Sequence, residues 1–234
     1  KKHIILAPTG IAAINAGGST LHSFFKLPFH PLLPNDSMYS VRNIRNTLKY
    51  NSEKIKIIRE VELIIIDEIS MVRADIIDFL DKVLRVYCRN MREPFGGKQL
   101  LLVGDIFQLE PVVREDDRRL LSPFYRSSFF FDAKVFEYFK LVSIELKKVY
   151  RQSDPVFISI LDHIRTSQVP MQDLQRLNQR VGAQLDEGDS KLAITLSTRR
   201  DTVDYINDSQ LQRLPGEPCL FRGHIQGEFP ESSL

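Results

Sequence analysis

Two adjacent carboxylates, Asp67 and Glu68, stand directly after the aliphatic run Leu63-Ile64-Ile65-Ile66. One carboxylate can hold a Mg²⁺ ion against phosphate oxygens, and a second beside it can polarise a water for attack on phosphorus. The same pair also suits a strand end followed by an acidic helix cap, with Ser70 capping a helix that begins near Arg73. A further acid, Asp105, closes a second apolar run, and Gln108 stands three residues on. Arg151 follows a third apolar stretch. A guanidinium can neutralise charge developing on a transferred phosphoryl group, or can simply form an inter-domain salt bridge. Near the start, Pro8-Thr9-Gly10 and His22-Ser23 supply backbone N–H groups, hydroxyls and an imidazole. His22 suits a satisfied buried histidine.

The elements that must position these residues are legible from periodicity. His3–Ala7 and Leu63–Ile66 are short continuous apolar runs, as expected of strands buried on both faces in a parallel sheet. Gln99–Val103 and Leu141–Leu146 are expected as further strands, with others at 192–196 and 219–224. In open α/β sheets the ligand site lies at the carboxyl ends of the strands, where Asp67, Glu68 and Asp105 fall. A short Ala-rich helix is predicted over 11–16, closed by Gly17-Gly18. Residues 26–36 carry three prolines and should be irregular. Helical spacing returns over 37–60, then over 74–89 with Ile76, Ile77, Leu80, Val83, Leu84 and Tyr87 inward. Shorter helices are expected at 133–139, 155–165 (capped by Asp154), 171–181 and 199–214, with a turn at 187–189.

Composition constrains the class. Lys and Arg number 32 against 30 Asp and Glu, so the net charge of +2 does not by itself announce a nucleic-acid partner. The segment 41–60 is locally basic, six cations to two acids, which suits either a solvated helix face or a phosphate-tracking patch. Cys88 and Cys219 have no metal-ligand spacing and point to a reducing, cytoplasmic setting. No apolar run approaches the length of a membrane span.

Four blocks then match, in order, the motifs of the Pif-type superfamily-one DNA helicases, relatives of the RecD-like group. Ala7-Pro8-Thr9-Gly10-Ile11-Ala12-Ala13 with Gly17-Gly18-Ser19-Thr20-Leu21-His22-Ser23-Phe24 resembles their motif Ia. Ile64-Ile65-Ile66-Asp67-Glu68-Ile69-Ser70-Met71 resembles motif II, the Walker B segment. Gly104-Asp105-Ile106-Phe107-Gln108-Leu109 resembles motif III, and Tyr150-Arg151-Gln152 motif IV. The blocks span about two-thirds of the chain.

The resemblance implies a RecA-like P-loop NTPase fold: a parallel sheet flanked by helices over 1–148, with a small insertion at about 26–60, then the start of a second RecA-like domain over 149–234. It implies an ATP-dependent, 5′-to-3′ DNA helicase acting as a monomer on single-stranded and forked DNA, in processes such as repair, recombination and telomere maintenance. Asp67 would hold Mg²⁺ on ATP, Glu68 would activate the attacking water, and Gln108 and Arg151 would sense the γ-phosphate. Pro8, Thr9, Gly10, His22 and Ser23 would touch DNA. The sequence departs from the family pattern in two places. Glu110 precedes Pro111 where the family usually continues with prolines, and the phosphate-cradling G-x-x-x-x-G-K-[ST] loop is absent from these 234 residues. A fragment of a longer polypeptide is the expectation. Two other readings stay open: a degenerate, non-hydrolysing DNA-binding module, and a Mg²⁺ nuclease using Asp67, Glu68 and Asp105.

Overall fold

The computed structural model describes residues 2–184, 193–217 and 219–223. The chain divides into two compact units, Lys1–Leu174 and Gln175–Leu234.

The first unit is built on four parallel strands: β1 (His3–Ala7), β2 (Ser19–Thr20), β3 (Leu63–Ile66) and β4 (Gln99–Leu102), in the order β2-β1-β3-β4. β1 sits in register between Leu6↔Ser19 on one side and Leu6↔Ile66 on the other, and β3 pairs Ile66 with Leu102. The central strands are the expected aliphatic runs, with Leu6, Ala7, Ile64 and Ile66 almost wholly excluded from solvent. The first helix, α1 (Gly10–Asn15), is capped by Thr9, whose Oγ1 accepts from the Ala12 N–H. The return from α1 to β2 is tight. A Cβ on Gly18 would lie 2.2 Å from the Ile5 carbonyl oxygen, so only glycine lets β2 close on β1.

α2 (Leu21–Phe25) follows β2 directly, capped by Thr20. Residues 26–43 form no helix or strand, as the prolines dictate, and the predicted helical stretch resolves into α3 (Ile44–Leu48) and α4 (Ser52–Glu60). The break falls at Lys49, which turns left-handed (φ 44°). The core gathers on α5 (Ala74–Cys88), whose Ile76, Ile77, Leu80, Val83, Leu84 and Tyr87 are all buried, as the 3.6-residue pattern required. Two later helices of the unit, α6 (Glu115–Leu121) and α7 (Pro155–Arg165), follow; Asp154 caps α7 by accepting from Val156 and Phe157 N–H, as expected. α8 spans Met171–Asn178. In the second unit α9 (Arg200–Gln212) is the helix expected over 199–214.

The basic segment has a structural role in part. Arg45 Nη2 donates to the Val86 carbonyl at 2.6 Å and Arg59 Nε to the Tyr87 carbonyl at 3.1 Å. Both acceptors lie in the last turn of α5, where carbonyls run short of backbone partners (Val86 receives only a long 3.4 Å bond from the Arg89 N–H), so the two cations help cap that helix.

Several expected strands do not form. Residues 141–150 carry no regular structure, with Val142, Ile144 and Leu146 more than four-fifths exposed. An apolar run becomes a strand only when a neighbour completes its ladder, and no described strand pairs with this one. β4 is the last strand of the sheet, and Leu101 on it remains 48% exposed, so it is half-covered rather than buried. Residues 193–196 and 219–223 are likewise irregular; 192 and 224, and the predicted turn at 187–189, lie outside the described residues. Ala133–Phe139 winds as a 3₁₀ turn over Lys134–Tyr138 instead of an α-helix. No described helix is long and apolar enough to cross a membrane.

Candidate functional site

Because all four strands run parallel, whatever follows each of them emerges at one edge of the sheet. Pro8–Gly10 follows β1, the start of α2 with His22 and Ser23 follows β2, Asp67-Glu68 follows β3, and Gly104–Gln108 follows β4. The strand order places the candidate DNA-contacting residues together on one half of this edge, on β1 and β2. Asp67, Glu68 and Gln108 occupy the other half, after β3 and β4.

The acidic pair is fixed by backbone bonds on both sides. The Asp67 N–H continues the ladder to the Leu6 carbonyl at 2.8 Å, and Asp67 Oδ1 accepts the Glu68 N–H at 3.0 Å. Glu68 is left-handed (φ 50°, ψ 45°), an unusual conformation for a residue with a Cβ. That turn delivers the Ile69 N–H to the Val103 carbonyl at 3.0 Å, tying the end of β3 to the end of β4. Gly104 permits the approach: a Cβ there would lie 3.0 Å from the Ile69 nitrogen. Ser70 does not cap α5. It is fully buried, its hydroxyl meets no partner among the described residues, and the N-cap position is Arg73.

The Gln108 loop is organised by Asp105. Asp105 Oδ1 accepts from the Phe107 N–H at 3.0 Å, its carbonyl from the Gln108 N–H at 3.1 Å, and its Oδ2 lies 3.4 Å from Gln108 Nε2. Sequence reasoning missed a residue here. Arg165 on α7 lies 3.8 Å from Asp105 and over the Phe107 ring at 5.4 Å, a contact across sixty residues that no local pattern signals. Gln108 itself is exposed. Arg151 is exposed in irregular chain and forms no bond with Asp67, Glu68 or Gln108 among the described residues. The structure therefore brings the first three blocks to one edge and leaves the fourth apart.

On the other half, His22 is half-buried, and its ring stacks on Phe29 with centroids 5.4 Å apart and planes 12° from parallel. Burial and then the nearby Arg73 charge lower its pKa below the ordinary 6.5, against a smaller opposing pull from Asp75. His22 is thus neutral at physiological pH and offers a ring face rather than a positive charge. An NMR titration of its ring protons is expected to give a midpoint below 6.5. Since the folded state resists protonation, the His22 contribution to stability is fully present above the unfolded value of about 6.5 and is lost as pH falls from there through the lower folded midpoint. A midpoint at or above 6.5 would contradict this environment.

The neighbouring ion pair is also unsignalled by sequence. Asp75, 1% exposed, accepts Arg73 Nε at 2.9 Å and Nη2 at 2.7 Å, and its Oδ2 accepts the Leu32 N–H at 2.9 Å. It pins the Pro-rich loop to the start of α5. No cluster of three or more His, Cys, Asp or Glu that could hold a metal occurs among the described residues. A lone strand-end carboxylate is nevertheless compatible with Mg²⁺, which takes most of its ligands from phosphates and water.

The comparisons with known proteins follow the same pattern. Residues 1–174 match the model of the PIF1-like helicase family. The chain is 36% identical over 220 residues to the ATP-dependent DNA helicase PIF1 of Xenopus laevis, covering 90% of this chain and 30% of the relative. It is 31% identical over 218 residues to the ATP-dependent DNA helicase RRM3 of Saccharomyces cerevisiae, covering 93% and 28%. The chain thus spans under a third of the length of these curated relatives. Among solved structures, Bacteroides Pif1 bound to single-stranded DNA superposes with a TM-score of 0.81 at 40% identity, covering all of this chain and 52% of that one. A structure of two coordinating Pif1 helicases at forked double-stranded DNA superposes at 0.84 with 41% identity, covering all of this chain and 53% of that one. The parallel sheet with its strand-end carboxylates is therefore the RecA-like α/β fold, and the chain belongs to the PIF1-like helicase family.

Proposed function

We propose that the protein containing this chain is an ATP-dependent helicase that moves 5′-to-3′ along single-stranded DNA and opens forks, with the chain supplying the sheet edge where both ligands meet. One observation supports the reading: four parallel strands bring the candidate DNA residues and the candidates Asp67, Glu68 and Gln108 side by side along one edge. Asp67 would hold the Mg²⁺ of bound ATP, which supplies charge neutralisation at the phosphates. Glu68 would take a proton from the attacking water, and Gln108 would orient it. Arg151 would approach the γ-phosphate only in a nucleotide-bound arrangement, where its guanidinium balances developing charge. Pro8, Thr9, Gly10, His22 and Ser23 would line the strand of DNA. With His22 neutral, its part is stacking or hydrogen bonding rather than charge attraction. The helicases similar to this chain bind single-stranded and forked DNA, and two copies meet at the fork in one of them, so we take one chain as the motor unit and leave its pairing to the DNA. Roles in repair, recombination and telomere maintenance are carried by the family alone.

The test is Mg²⁺-dependent ATP hydrolysis by the intact protein, with and without single-stranded DNA, together with unwinding of forks bearing a 5′ or a 3′ tail. DNA-stimulated turnover and unwinding from the 5′ tail are expected. Tight binding of single-stranded DNA without any hydrolysis would establish the alternative, a degenerate binding module. Residues 1–234 alone carry no phosphate-cradling loop with its lysine. The purified 1–234 chain is therefore expected to show no Mg²⁺-dependent ATPase; a clear rate from it would overturn the assignment of nucleotide binding to that loop.

A further inference from the structure

Among the described residues, one cation reaches the Gln108 loop from outside it. The hydrogen bonds of residues 105–108 are internal to the loop: Asp105 Oδ1 accepts the Phe107 N–H, the Asp105 carbonyl accepts the Gln108 N–H, and Asp105 Oδ2 lies 3.4 Å from Gln108 Nε2. The ion pair and the ring contact that join these residues to another element both come from Arg165. Its Nη1 lies 3.8 Å from Asp105 Oδ1, and its guanidinium carbon stands 5.4 Å from the Phe107 ring centroid. Arg165 is the last residue of α7. Its Nη2 donates to Asp162 Oδ1, one turn back, at 2.9 Å, which fixes the guanidinium, and buried Ile160 seats the helix. Ile106, Phe107 and Leu109 are each at least half exposed, so burial does little to fix the loop and its polar contacts count for more.

We propose that Arg165 is a positioning residue for ATP hydrolysis: through Asp105 and Phe107 it holds the Gln108 loop where Gln108 meets the attacking water. This rests on the hydrolysis reading of Asp67, Glu68 and Gln108 given above. The Asp105 carboxylate is shared. One oxygen takes the Phe107 N–H and faces the guanidinium, and the other faces the Gln108 amide. A cation beside the first oxygen fixes the plane of the carboxylate, and the carboxylate in turn fixes the amide. Arginine suits the task better than lysine, since its planar head can lie over a ring while its edge meets a carboxylate. Arg165 and Asp105 both keep partial solvent contact, so each contact is modest. Their effect is on the fraction of time the loop is in place rather than on the fold. α7 begins shortly after Arg151, so one segment carries both the arginine proposed for the γ-phosphate and the arginine that sets the Gln108 loop.

The experiment measures DNA-stimulated ATP hydrolysis by the intact protein over a range of ATP concentrations, with melting curves on the same preparations. Arg165→Gln is expected to lower kcat by about three- to 30-fold, the combined worth of an exposed ion pair and a cation–ring contact, with KM for ATP changed by less than about twofold. Its melting transition should match the wild type. Arg165→Lys, which keeps a cation beside Asp105 and the Phe107 ring, should recover much of the lost turnover. Phe107→Leu combined with Arg165→Gln should cost less than the product of the two single losses, because both act on one contact. Unchanged kcat in Arg165→Gln, beside an active wild type, would overturn the positioning role and leave the hydrolysis reading standing. A loss of turnover that comes with an earlier melting transition and is not recovered by lysine would also overturn it, since that is the behaviour of a residue that only seats α7. A wild-type protein that hydrolyses no ATP would remove the hydrolysis reading and this role together.

Discussion

Replacing Glu68 by Gln is expected to lower DNA-stimulated ATP hydrolysis by the intact protein by about 10²- to 10⁴-fold, the range lost with a general base. The substitution keeps the size, the hydrogen-bonding reach and the backbone turn at this half-buried position, so stability should change by no more than about 0.5 kcal/mol. Single-stranded DNA affinity should also be unaffected, since the candidate DNA residues follow β1 and β2. The prediction is thus specific: turnover falls, while fold and DNA binding stay. Steady-state hydrolysis, a denaturation curve and a DNA titration on one preparation decide it. Unchanged turnover would return Asp67 and Glu68 to the role of a strand end and helix cap. Turnover lost together with the fold would show that the left-handed turn, not the carboxylate, is what the site needs.

The largest effect on stability is expected at Asp75. Its carboxylate satisfies two guanidinium nitrogens of Arg73 and the Leu32 N–H in a place almost without solvent. Burial works against the charged guanidinium of Arg73, and the bond to Asp75 and its charge, with a smaller pull from Asp117, outweigh this to raise the Arg73 pKa. Asp75→Ala therefore leaves a mostly buried cation unpaired, at a cost of about 3–5 kcal/mol. In a chain of this size that corresponds to a fall in melting temperature on the order of 10 °C. The double change Arg73→Leu with Asp75→Leu should recover much of the loss, because an apolar pair of similar volume has no charge to strand. A single-variant loss under about 1 kcal/mol, read from urea denaturation, would show that solvent reaches Arg73. The pair also has a longer reach: releasing Leu32 frees one anchor of the loop whose Phe29 packs on His22, a candidate DNA residue, so DNA affinity should fall in Asp75→Ala even at temperatures where the protein is folded.

What the sequence reveals here depends on how local the cause is. The β1 and β3 runs and the face of α5 are specified by residues within one element, and each lies where its periodicity put it. The acids at the ends of β3 and β4 were legible because a strand end is marked by its last apolar residue. The expectation of a strand over 141–146 failed for the opposite reason: pairing is a property of two segments, and apolarity in one says nothing of the other. Arg45 and Arg59 look from their spacing like a solvated or phosphate-tracking face, yet they serve carbonyls 41 and 28 residues away. Asp75 reads as an ordinary acidic residue in a first helical turn; only the fold reveals that it is buried and doubly engaged. Arg165 beside Asp105 belongs to the same class.

The left-handed turn at Glu68 has a consequence for anyone redesigning this protein. A residue with a Cβ in that region is disfavoured by about 1–2 kcal/mol relative to the right-handed form, and glycine escapes most of that cost. Ranked by folding stability alone, glycine would outscore glutamate at position 68. A library selected for heat resistance would drift toward erasing this side chain, and with it the general base proposed for hydrolysis. Position 68 should be held fixed before any such selection begins.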